Sequence, residues 1–333
     1  MEFNSIEYIF FLAFVFFLFY FLDKRWQSVL LLAASYVFYS YWNVKYLFLI
    51  VGITLISYET AKLISKNTKN KKKILIGGIT ILVFTLFIFK YFNFFINIIF
   101  DIANTDKSKI GIDSFNIILP VGISFYIFQA ISYVADVYKG SVLAEKDILN
   151  YALYITFFPQ LVAGPIERAE NIIPQFKKKH DFDYEQITNG MIFIVWGLFK
   201  KMVVADELAV YVDTVYGNVT AYTGFTLVIA TIMFAIQIYC DFSGYSDIAI
   251  GSAKLFGVEL MKNFKSPYLA SSMHAFWKRW HISLSQWLRD YIYIPLGGSH
   301  KGKVKKNLNL LIVFLISGLW HGADSTYIVW GGG

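Results

Sequence analysis

Long apolar runs separated by short polar segments recur from one end of the 333-residue chain to the other. They lie at Ile6–Leu22, Ser28–Trp42, Tyr46–Ala61, Ile74–Phe100, Phe115–Val137, Ile187–Val204, Phe225–Cys240 and Leu308–Trp320. Each reaches or slightly falls short of the roughly 20 apolar residues an α-helix needs to cross a bilayer core. Hydrocarbon offers no water to backbone N–H and C=O groups, so elements that satisfy those groups internally are expected there. The pattern predicts an all-α, multi-pass membrane protein. The first run has no basic segment before it and is followed by Asp23, Lys24 and Arg25, so it reads as a retained span and not as a signal peptide.

Charge then orients the chain. Lys62, Lys66, Lys69, Lys71, Lys72 and Lys73 fall between the third and fourth runs, and Lys24 and Arg25 follow the first. Lysine and arginine collect in cytoplasmic loops, which places both segments inside and the N-terminus and the loop Asp101–Lys109 outside. A full crossing by Tyr151–Ala163 would put Lys177, Lys178 and Lys179 outside, so that segment is expected to dip in and return beside a cavity. From Phe264 to Gly298, Lys265, Lys278, Arg279, Arg289 and Asp290 interrupt the aromatics too often for a lipid-facing span. A single helix through Ser272–Tyr293 would carry Trp280, Leu284 and Trp287 on one stripe. His274, Lys278, His281, Ser285 and Arg289 would fall on another.

Composition sharpens this picture. With 57% hydrophobic and only 16% charged residues, the chain is excluded from the soluble globular class. The net charge of +7 resides in short loops between apolar runs, which fits anionic headgroups and argues against nucleic acid. A lone Cys240 excludes an internal disulfide, and no Cys/His spacing suits a metal. Without an internal repeat or low-complexity tract, residues 1–333 read as one membrane domain.

Candidate chemistry is confined to a few positions. His321 closes the last apolar run after Ser317 and Gly318. A histidine at that depth is either functional in a polar cavity or an interfacial anchor beside Trp320. His281, flanked by Lys278 and Arg279, is either a neutral base or a member of an interfacial helix. The absence of a Gly-x-Ser-x-Gly elbow favours direct transfer assisted by a histidine base over an acyl-serine intermediate. Asp241 and Asp247 directly follow an apolar run and need cations, for which Arg279 or Arg289 are the expected partners. Pro159, Gly164 and Pro165, before Glu167 and Arg168, break any helix there.

Six ordered motifs carry a resemblance. They are Leu119-Pro-Val-Gly-Ile-Ser-Phe-Tyr126 with Gln129 and Asp136, Phe157-Phe-Pro-Gln-Leu-Val-Ala-Gly-Pro-Ile-Glu-Arg168, Asp241-Phe-Ser-Gly-Tyr-Ser-Asp247, Asn263-Phe-Lys-Ser-Pro-Tyr268, Phe276 through Tyr291 with Ile294-Pro-Leu-Gly-Gly298, and Gly318-Leu-Trp-His-Gly322. Together they resemble the membrane-bound O-acyltransferase family, and within it the subgroup of alginate O-acetylase membrane subunits. The resemblance implies a ring of tilted transmembrane helices with re-entrant segments around a central tunnel. It also implies that His321 is the catalytic histidine, that His281 is the second signature histidine, and that Trp280, Ser285, Arg289, Asp290, Asp241, Tyr245 and Trp320 contact substrate.

The implied reaction moves acetyl from acetyl-CoA or another acyl thioester, with no resident cofactor, toward an extracellular polysaccharide. An extracytoplasmic acetyltransferase partner is expected, in a bacterial cytoplasmic membrane. Two alternatives stand beside it: a D-alanyl transfer subunit for teichoic acids, and a transporter or flippase without transferase activity. Family members usually continue past the Trp-His-Gly motif with further helices, so the resemblance also implies a longer chain than the one ending at Gly331-Gly-Gly333.

Overall fold

The computed structural model describes residues 1–67, 69–103, 119–162, 164–300 and 302–332, and among these every apolar run becomes helix. In chain order the helices are α1 (Ile6–Phe19), α2 (Lys24–Ser40), α3 (Lys45–Lys66), α4 (Lys71–Leu86), α5 (Phe92–Ala103), α6 (Ile123–Lys139), α7 (Ile148–Thr156) and α8 (Phe158–Leu161). They continue with α9 (Ala169–Phe176), α10 (Tyr184–Leu198), α11 (Asp206–Gly217), α12 (Gly224–Lys254), α13 (Met273–Trp277), α14 (Ile282–Leu288), α15 (Gly302–His321) and α16 (Ser325–Gly332). No strand occurs among the described residues. Four helical stretches are long and apolar enough to cross a membrane: Lys45–Lys66, Lys71–Phe100, Tyr184–Gly217 and Gly224–Lys254. The outer loop expected at 104–109, the start of the Phe115–Val137 run, Ala163 and Gly333 lie outside the described residues.

The helices sort into two compact units interleaved in sequence: Met1–Leu47 with Leu149–Ser283, and Phe48–Ile148 with Leu284–Gly333. In the first unit, α10 and α12 run antiparallel with glycines facing at two levels one heptad apart. A Cβ on Gly197 would stand 2.6 Å from the Gly244 carbonyl oxygen, and one on Gly190 would stand 2.9 Å from that of Gly251. Small residues at such levels let two backbones approach where lipid provides no hydrophobic drive between helices.

α7 and α8 also belong to this unit apart from Ile148. Nine helical residues rise only about 14 Å against a hydrocarbon core of about 30 Å, so α7 cannot cross. The break at Phe157 and Pro159 separates it from α8, and both helices are almost wholly buried. Ser35 Oγ accepts the Phe158 N–H at 3.0 Å, satisfying a donor that the break leaves open.

Two expectations are corrected. The run ending at Cys240 is only the first half of α12, which continues without interruption to Lys254. Its carboxylates meet lysines, so the helix has no electrostatic reason to stop. The single helix expected through Ser272–Tyr293 is instead broken between α13 and α14, where His281 adopts φ 41°. Trp280 and Trp287 therefore do not share one stripe. Trp280 packs in the first unit against Phe264, with ring centroids 5.1 Å apart, whereas Trp287 stacks on Phe128 in the second at 3.8 Å.

In the second unit α4 and α5 are joined by a π-helical turn, Phe87–Tyr91. α6 begins after Gly122, whose φ of 73° lies where L side chains are strained. α15 and α16 meet at Gly318, where a Cβ would be 3.2 Å from the Cα of Gly331. A Cβ on Gly318 would also meet the Tyr327 carbonyl oxygen, so packing requires that glycine, whereas a side chain on Gly322 would have to displace the exposed ring of Tyr327.

Candidate active site

His321 is the last residue of α15 and lies in the second unit. Its imidazole packs edge-on against Trp330 of α16 at 5.1 Å between ring centroids. It opens on a cavity of about 320 Å³ lined also by Lys90, the Leu119–Phe125 segment and Trp320. The carbonyls of the last helical turn have no intrahelical partner. Here the Tyr91 hydroxyl donates to the Leu319 carbonyl at 2.7 Å, and the Lys90 ammonium donates to the Trp320 carbonyl. Lys90 also reaches Ser124 Oγ at 3.4 Å and lies 5.6 Å from the Trp320 ring centroid. Phe125 contacts the same indole edge-on at 5.6 Å. Beyond His321, Asp324 caps α16 by accepting the Thr326 N–H and hydroxyl, each at 2.8 Å, and these bonds hold its carboxyl below the ordinary range. The cavity thus combines an imidazole, an ammonium and a hydroxyl, the groups that proton removal and charge stabilisation at a carbonyl require.

His281 sits in the first unit and is 3% exposed. Four hydrogen bonds shape its surroundings. The Ile282 N–H donates to the Asn263 carbonyl at 2.9 Å, and the Lys265 N–H to the Arg279 carbonyl at 3.0 Å. Ser283 Oγ donates to Asn263 Oδ1 at 2.6 Å and accepts the Ile166 N–H at 3.1 Å. The Asn263–Tyr268 motif and the Gly-Pro-Ile-Glu-Arg motif are therefore laced around the turn that carries His281. Its ring stands edge-on to Phe242 at 4.7 Å. A left-handed backbone at a buried non-glycine residue is uncommon and clusters at functional sites.

The remaining candidates divide between the units. Asp241 pairs with Lys201 at 2.6 Å, and the same ammonium bonds Asp206 at 2.7 Å. It also lies 5.3 Å from the Tyr245 ring, whose hydroxyl reaches Asn4 Oδ1 at 3.5 Å. Asp247 pairs with Lys200, which is buried. The expectation that Arg279 or Arg289 would neutralise these carboxylates is overturned. Arg279 donates to the Leu269 carbonyl at 3.3 Å, and Arg289 bonds its neighbour Asp290 at 2.7 Å, which raises the guanidinium further. Lys200 and Lys201 lie on the π-helical turn Phe199–Ala205, 40 to 47 residues before their partners. Ser285 is partly buried on α14, and Arg289 is exposed.

Lys90, Tyr91, Ser124, Lys200 and Lys201 were missed from sequence. A signal existed for three of them: a lysine inside an apolar run is a functional candidate by default, and Lys90, Lys200 and Lys201 each interrupt one. A larger cavity of about 570 Å³ in the first unit is lined by Lys178, His180, Asp183, Glu185, Lys254 and Glu259, among others. Its charges balance and it contains no motif histidine; burial lowers the affinity of His180 for a proton. Among the described residues no group of three His, Cys, Asp or Glu side chains is set to hold a metal.

Apolar helices interrupted by π-helical turns, buried and half-buried lysines within them and an imidazole at a helix end facing a cavity define a polytopic membrane enzyme. The chain belongs to the membrane-bound O-acyltransferase family, whose model matches residues 31–333. It is 40% identical to the probable alginate O-acetylase AlgI of Pseudomonas putida, over 99% of this chain and 68% of that protein. It is 38% identical to the peptidoglycan O-acetyltransferase of Helicobacter pylori, over 90% of this chain and 62% of that one. The teichoic acid D-alanyltransferase of Bacillus subtilis is 25% identical, over 65% of this chain and 57% of its own. The chain thus spans about two thirds of the length of the first two relatives.

Proposed function

We propose that the protein moves an acetyl group from a cytoplasmic thioester, acetyl-CoA or another acyl thioester, for O-acetylation of an extracellular or cell-wall polysaccharide. The observation that carries this reading is the opening of His321, at the end of α15, onto a largely apolar cavity into which Lys90 and Ser124 bring an ammonium and a hydroxyl. An imidazole there accepts the proton of the attacking hydroxyl as its oxygen bonds to the thioester carbonyl carbon. The C–S bond then breaks, and the proton passes from His321 to the departing thiolate. General-base assistance of this kind contributes roughly a hundred- to ten-thousand-fold. His281 serves as the second histidine of the family, positioning a reactant through the laced turn that holds it.

Sequence similarity supports acetyl as the group moved. Identity to the two O-acetyltransferases is 38–40% over nine tenths or more of the chain, against 25% over 65% for the D-alanyltransferase. We place the lysine-rich loops in the cytoplasm and the N-terminus outside. The polysaccharide is reached directly or through an extracytoplasmic acetyltransferase partner, and membrane lipids surround the helices.

The test is the acetyl content of surface polysaccharide in cells carrying the wild-type gene, His321→Ala or a deletion, with membrane levels of the protein measured alongside. Equal loss in variant and deletion at normal protein level is expected. Full acetylation in the variant overturns the assignment of His321, and loss of ester-linked alanine in place of acetate reassigns the donor.

A further inference from the structure

Consecutive side chains on an α-helix diverge by about 100°, so Lys90 and Tyr91 would not ordinarily reach the same narrow target. The π-helical turn Phe87–Tyr91 interrupts that rotation within the apolar stretch Lys71–Phe100. Both residues end on successive carbonyls of one distant helix end: Tyr91 on Leu319 at 2.7 Å, and Lys90 on Trp320. These carbonyls immediately precede His321. The turn costs regular helix geometry and brings an ammonium into an apolar stretch, and such turns occur frequently at functional sites. Lys90 extends the tie to α6 through Ser124 Oγ at 3.4 Å, and Ser124 lines the cavity that His321 faces.

We propose that Lys90 and Tyr91 are positioning residues for His321, fixing the end of α15 so that the imidazole faces the acyl-transfer cavity. The proposal rests on the reading of His321 as the base. Each tie acts on the backbone that carries the imidazole, so its loss lets the ring depart from the productive geometry without removing the base. Small misplacements of a reacting group lower a rate while leaving ground-state binding nearly intact.

The experiment measures kcat and KM for the thioester donor in membranes carrying the full natural protein, for wild type, Tyr91→Phe, Lys90→Met, Lys90→Arg and His321→Ala. Tyr91→Phe removes one hydroxyl and is expected to lower kcat about three- to tenfold, the worth of one hydrogen bond. Lys90→Met is expected to lower kcat by about ten- to a hundredfold, with KM within about twofold. Lys90→Arg, which retains charge and donors, recovers most of that loss. A purely structural role would reduce protein level and leave kcat per molecule unchanged. Unchanged kcat in Tyr91→Phe and Lys90→Met, beside an inactive His321→Ala, overturns the positioning roles alone. An active His321→Ala overturns the reading on which they rest. Should Lys90→Met fail to accumulate, Tyr91→Phe decides, since loss of a single hydroxyl leaves the Lys90 ammonium in place.

Discussion

The ammonium of Lys200 lies against the carboxylate of Asp247, and the same nitrogen donates to Ser243 Oγ at 3.0 Å. The pair joins the π-helical turn after α10 to the second half of α12, with side chains only 9% and 19% exposed. Removing one partner of a buried pair leaves an uncompensated charge, which costs on the order of 3–5 kcal/mol. Lys200→Met and Asp247→Asn are each expected to lower thermal stability in detergent, and Lys200→Met with Asp247→Leu to restore most of it. Unaltered melting in both single variants would show that the pair contributes nothing to the fold.

The glycine contacts between α10 and α12 make a second prediction. A Cβ at Gly197 meets backbone, the Gly244 carbonyl oxygen, and backbone cannot swing aside. Gly197→Ala should therefore destabilise by about 1–3 kcal/mol, as overpacking does. Gly77 in α4 has open space around it, and Gly77→Ala should gain up to about 1 kcal/mol from helix propensity. Opposite signs of the melting shift in the two variants are the result to look for.

His281 separates backbone from side-chain demands. At φ 41° an alanine is strained by about 1–2 kcal/mol, whereas glycine is at ease. His281→Gly is therefore expected to accumulate better than His281→Ala, while both lose acetyl transfer equally per molecule. Retained transfer in the glycine variant would reduce His281 to a residue of the turn.

Glu167 is 1% exposed, and burial pushes its carboxyl up to about 7, against the opposing pull of the Met261 and Arg168 N–H groups and the Arg168 charge. An unfolded chain ionises this group near 4.5, so the folded protein holds a proton that the unfolded one releases above that pH. Stability from this group is full below 4.5 and declines as pH rises to about 7. Glu167→Gln retains an acceptor for the Met261 N–H. It should flatten the decline, a difference on the order of 3 kcal/mol across the window. Parallel melting curves for the two proteins from pH 4.5 to 7 would contradict the burial argument.

Periodicity and charge in the sequence determined that the chain is helical and membrane-embedded, because apolar length and lysine placement are local properties that bilayer thickness and headgroup charge read directly. The ordered motifs singled out His321 and His281 as candidates. Tertiary structure alone decided which cation meets which carboxylate, since Lys201 and Asp241 are separated by 40 residues. It alone broke the helix at His281, where hydrogen bonds accepted by Asn263 and donated by Lys265 outweigh the local preference for a continuous turn. It alone brought Lys90 to Trp320 across 230 residues. Such pairings arise from packing between elements, and no window along the chain contains both partners.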